Sequence, residues 1–168
     1  MDDKNFKNKA LPPIKVEISI HTGEVVFGVV GEENRKSLTI LSEGVSLASK
    51  LSEVNKFYGT RVVFSKRTLN SLPYGFFINY RYIGTIKRPQ ENNQPISVFE
   101  NLDVLPRVKR EKILAYKKVF ENGVRLYEDG DYVNSKAIFE NIVSKYNKDQ
   151  VAYTYFNLCD EKIKLAED

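Results

Sequence analysis

Between Ile18 and Leu51 the chain reads ISIHTGEVVFGVVGEENRKSLTILSEGVSLASKL, and this stretch constrains the fold more than any other. Two runs rich in β-branched residues flank a polar turn, and a third short run follows a charged loop. Val45, Leu47, Ala48 and Leu51 then change the apolar spacing from two residues to three and four. Strands and a helix must therefore share one core within little more than thirty residues, which excludes an all-helical or an all-β chain.

Upstream, Ile14, Val16, Ile18 and Ile20 alternate with Lys15, Glu17 and Ser19, which predicts a strand with one apolar face, fed by the extended Leu11-Pro12-Pro13. Thr22-Gly23 is a turn signal, and with Glu24 to Val30 as the returning strand the pair reads as a β-hairpin. Gly31 to Lys36 is a charged loop and Ser37 to Leu41 a short third strand. Ser42 is placed to cap a helix ending near Lys56, and Tyr58-Gly59-Thr60 turns the chain into a buried strand over 61–64. Ser65 caps one more short helix before Pro73. Phe76 to Ile86 alternates again, a loop RPQENNQ follows, and Pro95 to Phe99 is its partner strand. The first hundred residues are mixed α/β with mostly antiparallel pairs.

Beyond LDVLPRVKR the pattern is helical. Ile113, Tyr116, Phe120, Val124 and Tyr127 mark one helix; Tyr132, Ala137, Phe139, Ile142, Val143 and Tyr146 a second; Val151, Tyr155, Phe156, Leu158 and Cys159 a third. The expected organisation is a polar N-terminus over 1–10, a domain over 11–102, a linker over 103–110 and a helical tail over 111–168.

Several function classes fall away on composition. An apolar content of 42% in 168 residues supports a packed core, and no run reaches the length that crosses a bilayer, so the expected compartment is the cytoplasm. One cysteine, Cys159, excludes an internal disulfide and a cysteine metal cluster, and one histidine, His21, leaves no partner for a histidine zinc site. The net charge of +4 lies in residues 1–102, where 14 Lys and Arg face 10 Asp and Glu, while the rest balances at 12 and 12. Basic pairs are scattered rather than striped, which argues against nucleic acid, and the excess suits an anionic small molecule as well as anything larger.

IHTGEVVFGVVG, LTILSEGVSLASKL, YGTRVVFSKRTLNSL and PISVFENL, in this order and near this spacing, closely resemble the second half of the class III adenylate/guanylate cyclase catalytic domain. The resemblance runs from about Pro12 to Leu102. It implies an α+β fold: part of a ferredoxin-like nucleotide cyclase domain with a mostly antiparallel sheet, followed by a C-terminal α-helical segment. In the tail, an aromatic before Gly130 and a small residue and aromatic after it resemble a tetratricopeptide unit. One such unit cannot cover its own face, so the tail is expected to dock on the α/β part or on another chain.

Family cyclases work as head-to-tail dimers in which two divalent metals, Mg or Mn, sit on paired aspartates of one subunit. The ribose 3′-hydroxyl of ATP or GTP attacks the α-phosphate and pyrophosphate leaves. The partner subunit supplies an acid to the purine, an asparagine to the ribose and an arginine to the developing charge. The resemblance places Glu43 at the purine position, Ser46 at the asparagine and Lys50 at the arginine. Lys87 or Arg88 stands near the family's phosphate-binding lysine, in a turn one residue longer. Ser46 is too short to orient a ribose as asparagine does, and Lys50 offers a point charge in place of a planar fork.

The family's metal aspartates precede the His-Thr-Gly turn, where this chain has only Asp2 and Asp3 in a lysine-rich start. The resemblance therefore implies no metal ligands in this chain, an apolar sheet face open to a partner, and activity only with a cyclase-type subunit in a homodimer or heterodimer or with the family's N-terminal half. The alternative is a non-catalytic module for dimerisation, nucleotide sensing or protein interaction. The choice between ATP and GTP stays open. His21 and Thr22 read as hydrogen-bonded scaffold.

Overall fold

The structure is a computed structural model and describes residues 15–32, 35–87 and 95–167. In chain order the elements are β1 (Ile18–Ile20), β2 (Val26–Glu32), β3 (Arg35–Leu41), α1 (Glu43–Tyr58), β4 (Val62–Ser65) and α2 (Lys66–Asn70). There follow β5 (Tyr80–Ile86), β6 (Ile96–Asn101), α3 (Arg107–Glu128), α4 (Tyr132–Lys145) and α5 (Gln150–Glu167). One sheet has the order β1-β4-β6-β5, with β1 parallel to β4 and the other pairs antiparallel; β2 and β3 form a separate antiparallel ribbon. The fold is thus mixed α+β, mostly antiparallel, with C-terminal helices.

The expected hairpin between the first two strands does not form. β1 pairs in parallel with β4, Ile18 opposite Val62, and the Ile18 amide donates to the Arg61 carbonyl at 2.8 Å. A turn signal describes only the local reversal, whereas the partner of β1 lies more than forty residues along the chain and is chosen by burial. The buried Asn55 of α1 makes the choice specific. Its amide nitrogen donates to the Ile18 carbonyl at 2.8 Å and to Ser19 Oγ at 2.9 Å, and its oxygen accepts from Thr60 Oγ1 at 2.6 Å.

β2 pairs instead with β3, from Val26 opposite Leu41 to Glu32 opposite Arg35, so the charged loop is shorter than its composition suggests. Neighbouring residues of a strand point to opposite faces. Val26 is 69% exposed and Phe27 64%, so neither face of the ribbon is covered.

β5 begins at Tyr80, four residues later than the alternation suggests, and α3 begins at Arg107, inside the segment that reads as a linker. The tail docks on the sheet. Leu51, Val63, Ile83 and Val98 join Phe120, Val124, Phe139 and Tyr155 in one buried cluster.

The contact with β5 is polar as well. The Tyr82 amide donates to Glu121 at 2.8 Å, Tyr155 Oη donates to the Ile83 carbonyl at 3.0 Å, and Tyr82 Oη and Thr85 Oγ1 both donate to Glu128. Gly84 makes this approach possible. Its φ of 114° disfavours any side chain, and a Cβ would lie 2.6 Å from the Tyr155 hydroxyl.

Candidate functional site

Helix α1 starts where Ser42 takes extended backbone and its Oγ accepts from the Gly44 amide at 2.9 Å, which satisfies a first-turn donor. The same hydroxyl donates to the Glu24 carbonyl at 2.6 Å and so ties the helix to the turn before it. That turn is held from the other side. A hydrogen bond of 2.8 Å joins His21 Nδ1 to Ser65 Oγ, and Thr22 Oγ1 donates to Thr68 Oγ1 at 3.2 Å. His21 and Thr22 therefore work as scaffold under the start of α1.

Leu47, Leu51 and Asn55 face the core, and Glu43, Ser46 and Lys50, at spacings of three and four, form a stripe that flanks that face about 100° round the helix. Glu43 and Ser46 are exposed and Lys50 is half-buried. Glu43 sits in the first turn, where a carboxylate opposes the positive end of the helix dipole.

Lys50 and Lys87 come together. Both line a groove of about 520 Å³ between α1 and the end of β5, with Phe57, Tyr58, Thr85 and Ile86 among its walls. Glu53 adds a carboxylate to the same lining. Burial pushes the Tyr58 phenol up to about 12 even though its hydrogen bond with Tyr155 acts the other way, so it remains neutral at pH 7. Two amines beside a neutral phenol and an aromatic wall form a surface that suits a phosphate-bearing ligand. Glu43 and Ser46 lie further toward the helix N-terminus, outside this lining, and Arg88 lies outside the described residues.

Among the described residues no three His, Cys, Asp or Glu side chains gather as a metal centre requires, and Asp2 and Asp3 lie outside them. The donor set described does not fit a pair of divalent metals. No helix of the described residues is long and apolar enough to cross a membrane.

The strongest electrostatic feature was not foreseen from the sequence. Arg81 is buried, with Nε donating to Glu100 at 2.7 Å and both terminal nitrogens donating to Asp149 at 2.5 and 2.9 Å. Tyr116 Oη adds a bond to Asp149 at 2.7 Å. Burial opposes the Arg81 charge, but Glu100 and Asp149 outweigh it and hold the guanidinium protonated. Burial likewise raises Asp149, and Arg81 more than reverses it, leaving the carboxyl below its usual range. The signal available in the sequence was an arginine in an otherwise apolar strand, which ordinary alternation assigns to solvent.

Compared with known families, residues 1–94, more than half of the chain, match the model of the adenylate and guanylate cyclase catalytic domain. The chain belongs to this family. Three curated cyclases are similar to this family member. The terminal-differentiation specific adenylate cyclase of Dictyostelium discoideum is 27% identical over 157 residues, which is 92% of this chain and 7% of that protein. An adenylate cyclase of Anabaena cylindrica is 30% identical over 90 residues, 54% of this chain and 18% of its own length. Adenylate cyclase 1 of Rhizobium meliloti (strain 1021) is 31% identical over 98 residues, 58% of this chain and 14% of its own. This cyclase-family chain thus spans less than a fifth of each. A match of 157 residues exceeds the α/β part, so the likeness to the Dictyostelium protein takes in helical tail as well.

Proposed function

We propose that this chain supplies the partner-facing half of a nucleotide-cyclising site, and that it acts on ATP or GTP only when joined to a cyclase-type half that carries the metal aspartates. The observation that carries the reading is the meeting of Lys50 and Lys87 in one groove, because the family resemblance places Lys50 at the arginine that serves the developing charge and Lys87 near the phosphate-binding lysine. In this reading the two amines hold the phosphate chain and face the charge that develops as the ribose 3′-hydroxyl attacks the α-phosphate. Glu43 accepts from a purine amine, Ser46 offers a short hydroxyl toward the ribose, and Arg88 assists Lys87. Mg or Mn, with the aspartates that hold it, falls to the other subunit.

The uncovered β2–β3 ribbon supports a pairing role, since two strands alone are marginal in water and Val29, Val30, Leu38 and Ile40 are all exposed. We place the cyclase-like domain at 11–102 and a tetratricopeptide-like tail at 111–168, in a cytoplasmic protein. Ser46 and Lys50 in place of asparagine and arginine favour a second reading, a non-catalytic module for dimerisation or nucleotide sensing.

One experiment separates the two readings. Mixed with a cyclase subunit that carries the aspartates, the chain should raise cyclic nucleotide output above that of the subunit alone, and K50A or K87A should remove the gain. A stable complex with no gain sinks the catalytic reading. Calorimetric heat with ATP or GTP in that complex, lost in K50A, would then establish the sensing module.

A further inference from the structure

Away from the Lys50–Lys87 groove, α3 and α4 leave two adjoining cavities of about 360 and 540 Å³ that share Tyr116, Lys145 and Tyr146. The first reaches from Val108 on α3 to Lys148 in the turn before α5, and the second continues to Val119 on α3 and Asn134 on α4. From Val108 to Val119 the helix rises about 17 Å, which sets the length of the combined groove.

Its floor is apolar. Ile113 and Tyr116 are buried, and the Tyr146 ring stacks on Tyr116 with centroids 4.5 Å apart. Its rim is cationic: Lys109, Lys112, Lys145 and Lys148 line it, all exposed.

None of these four lysines has a carboxylate partner among the described residues. Their neighbours differ, because Arg107 pairs with Glu111, Arg110 with Asp103 and Lys117 with Glu121. The lining carboxylate, Asp149, is already committed to Arg81 and Tyr116. Residues 103–168 balance at 12 cations and 12 anions, so the uncompensated rim is a matter of placement rather than of composition.

We propose that this groove docks an extended acidic segment of a partner protein, with apolar side chains over Ile113, Tyr116 and Tyr146 and carboxylates at the lysine rim. Charge complementarity selects the sign of the partner and the apolar floor selects its alternation. A groove of about 17 Å takes about five residues of extended chain. A small anion held by the lysines would leave the end between Val119 and Asn134 empty. The groove shares no lining residue with the Lys50–Lys87 site, so the proposal stands apart from the cyclase reading.

The test is fluorescence anisotropy on the full chain, with a fluorescein-labelled peptide of about eight residues alternating Glu with Leu and Phe. The expected result is saturable binding that weakens with added salt, and that falls about tenfold in K112E/K145E and again in K109E/K148E. K118E/K162E, with the same charge change elsewhere on the tail, should bind as the parent does. Circular dichroism on each variant checks that helix content is kept.

Absence of binding up to about 1 mM peptide overturns the proposal, as does an affinity in both groove variants equal to that of the parent. Equal affinity for polyglutamate overturns the apolar floor. Tighter binding of a single-stranded oligonucleotide or of phosphatidylserine vesicles assigns the rim to another polyanion and overturns it too.

Discussion

Replacing Arg81 by methionine should cost this protein a large part of its stability, and the cost should depend on pH. Methionine keeps most of the length and apolar bulk of arginine, so packing changes little. It removes the cation that serves Glu100 and Asp149, whose side chains are 5% and 3% exposed. Breaking a buried pair from one side costs about 3–5 kcal/mol, because the remaining charges lose their cation in a place that water does not reach. The guanidinium also lies 4.3 Å from the centre of the Phe120 ring, a contact worth about 1–2 kcal/mol when desolvated. These contributions overlap, so a loss of about 4 kcal/mol is expected, or about 10–15 °C in Tm for a chain of this size.

The pH dependence follows from Asp149. In the parent its carboxyl is held below the usual value, so its contribution is present above the unfolded pKa of about 3.9 and is lost as pH falls through the folded value. In R81M burial acts on Asp149 without Arg81 and raises it, so the variant loses stability as pH rises through the unfolded value. The gap between parent and variant is therefore wide at pH 7 and narrows toward pH 4. Urea denaturation followed by circular dichroism at both pH values measures it, and R81M/D149N should recover at least about 1 kcal/mol over R81M at pH 7. A gap below about 1 kcal/mol, or one that is the same at pH 7 and pH 4, would refute the reasoning.

Two further substitutions probe the joints of the fold. Gly84→Ala places a side chain at a φ of 114° and 2.6 Å from the Tyr155 hydroxyl, and should lower stability by about 2 kcal/mol in urea. Y155F in that background removes the obstructing oxygen and should restore part of the loss; if it restores none, the contact is not the cause. Ser42→Ala removes both the cap of α1 and the bond to the Glu24 carbonyl, at about 1–2 kcal/mol. Serine-to-threonine at the same position should retain most of that stability, and equal loss in both variants would place the effect elsewhere.

Much of the fold was legible because it is written locally. Ser42 and Ser65 are caps that bond within three residues of themselves, and the three tail helices follow from apolar spacing alone. Long-range pairing was not legible. The β1 partner depends on Asn55, whose amide reads as an ordinary polar residue in a helix until its bonds to Ile18 and Ser19 are seen. Arg81 fails for a related reason, since Asp149, which shares its neutralisation with Glu100, stands 68 positions away, just before α5. At the candidate site, the family resemblance singled out Glu43, Ser46 and Lys50, but nothing local says that Lys87 meets only the last of them.

The side chains that the tail lays along β5 have a consequence for how copies of this protein can join. A sheet with two free edges can add strands without limit, and chains built that way grow into fibres. Here the outer amide of Tyr82 and the carbonyl of Ile83 are already taken by Glu121 and Tyr155, so the middle of that margin is closed to a newcomer. Among the described residues β1 keeps a neighbour on one side only, so it is the more open margin of this sheet. Two molecules meeting there would each cover the other's β1 edge, and further growth of this sheet would have to pass the side chains laid along β5.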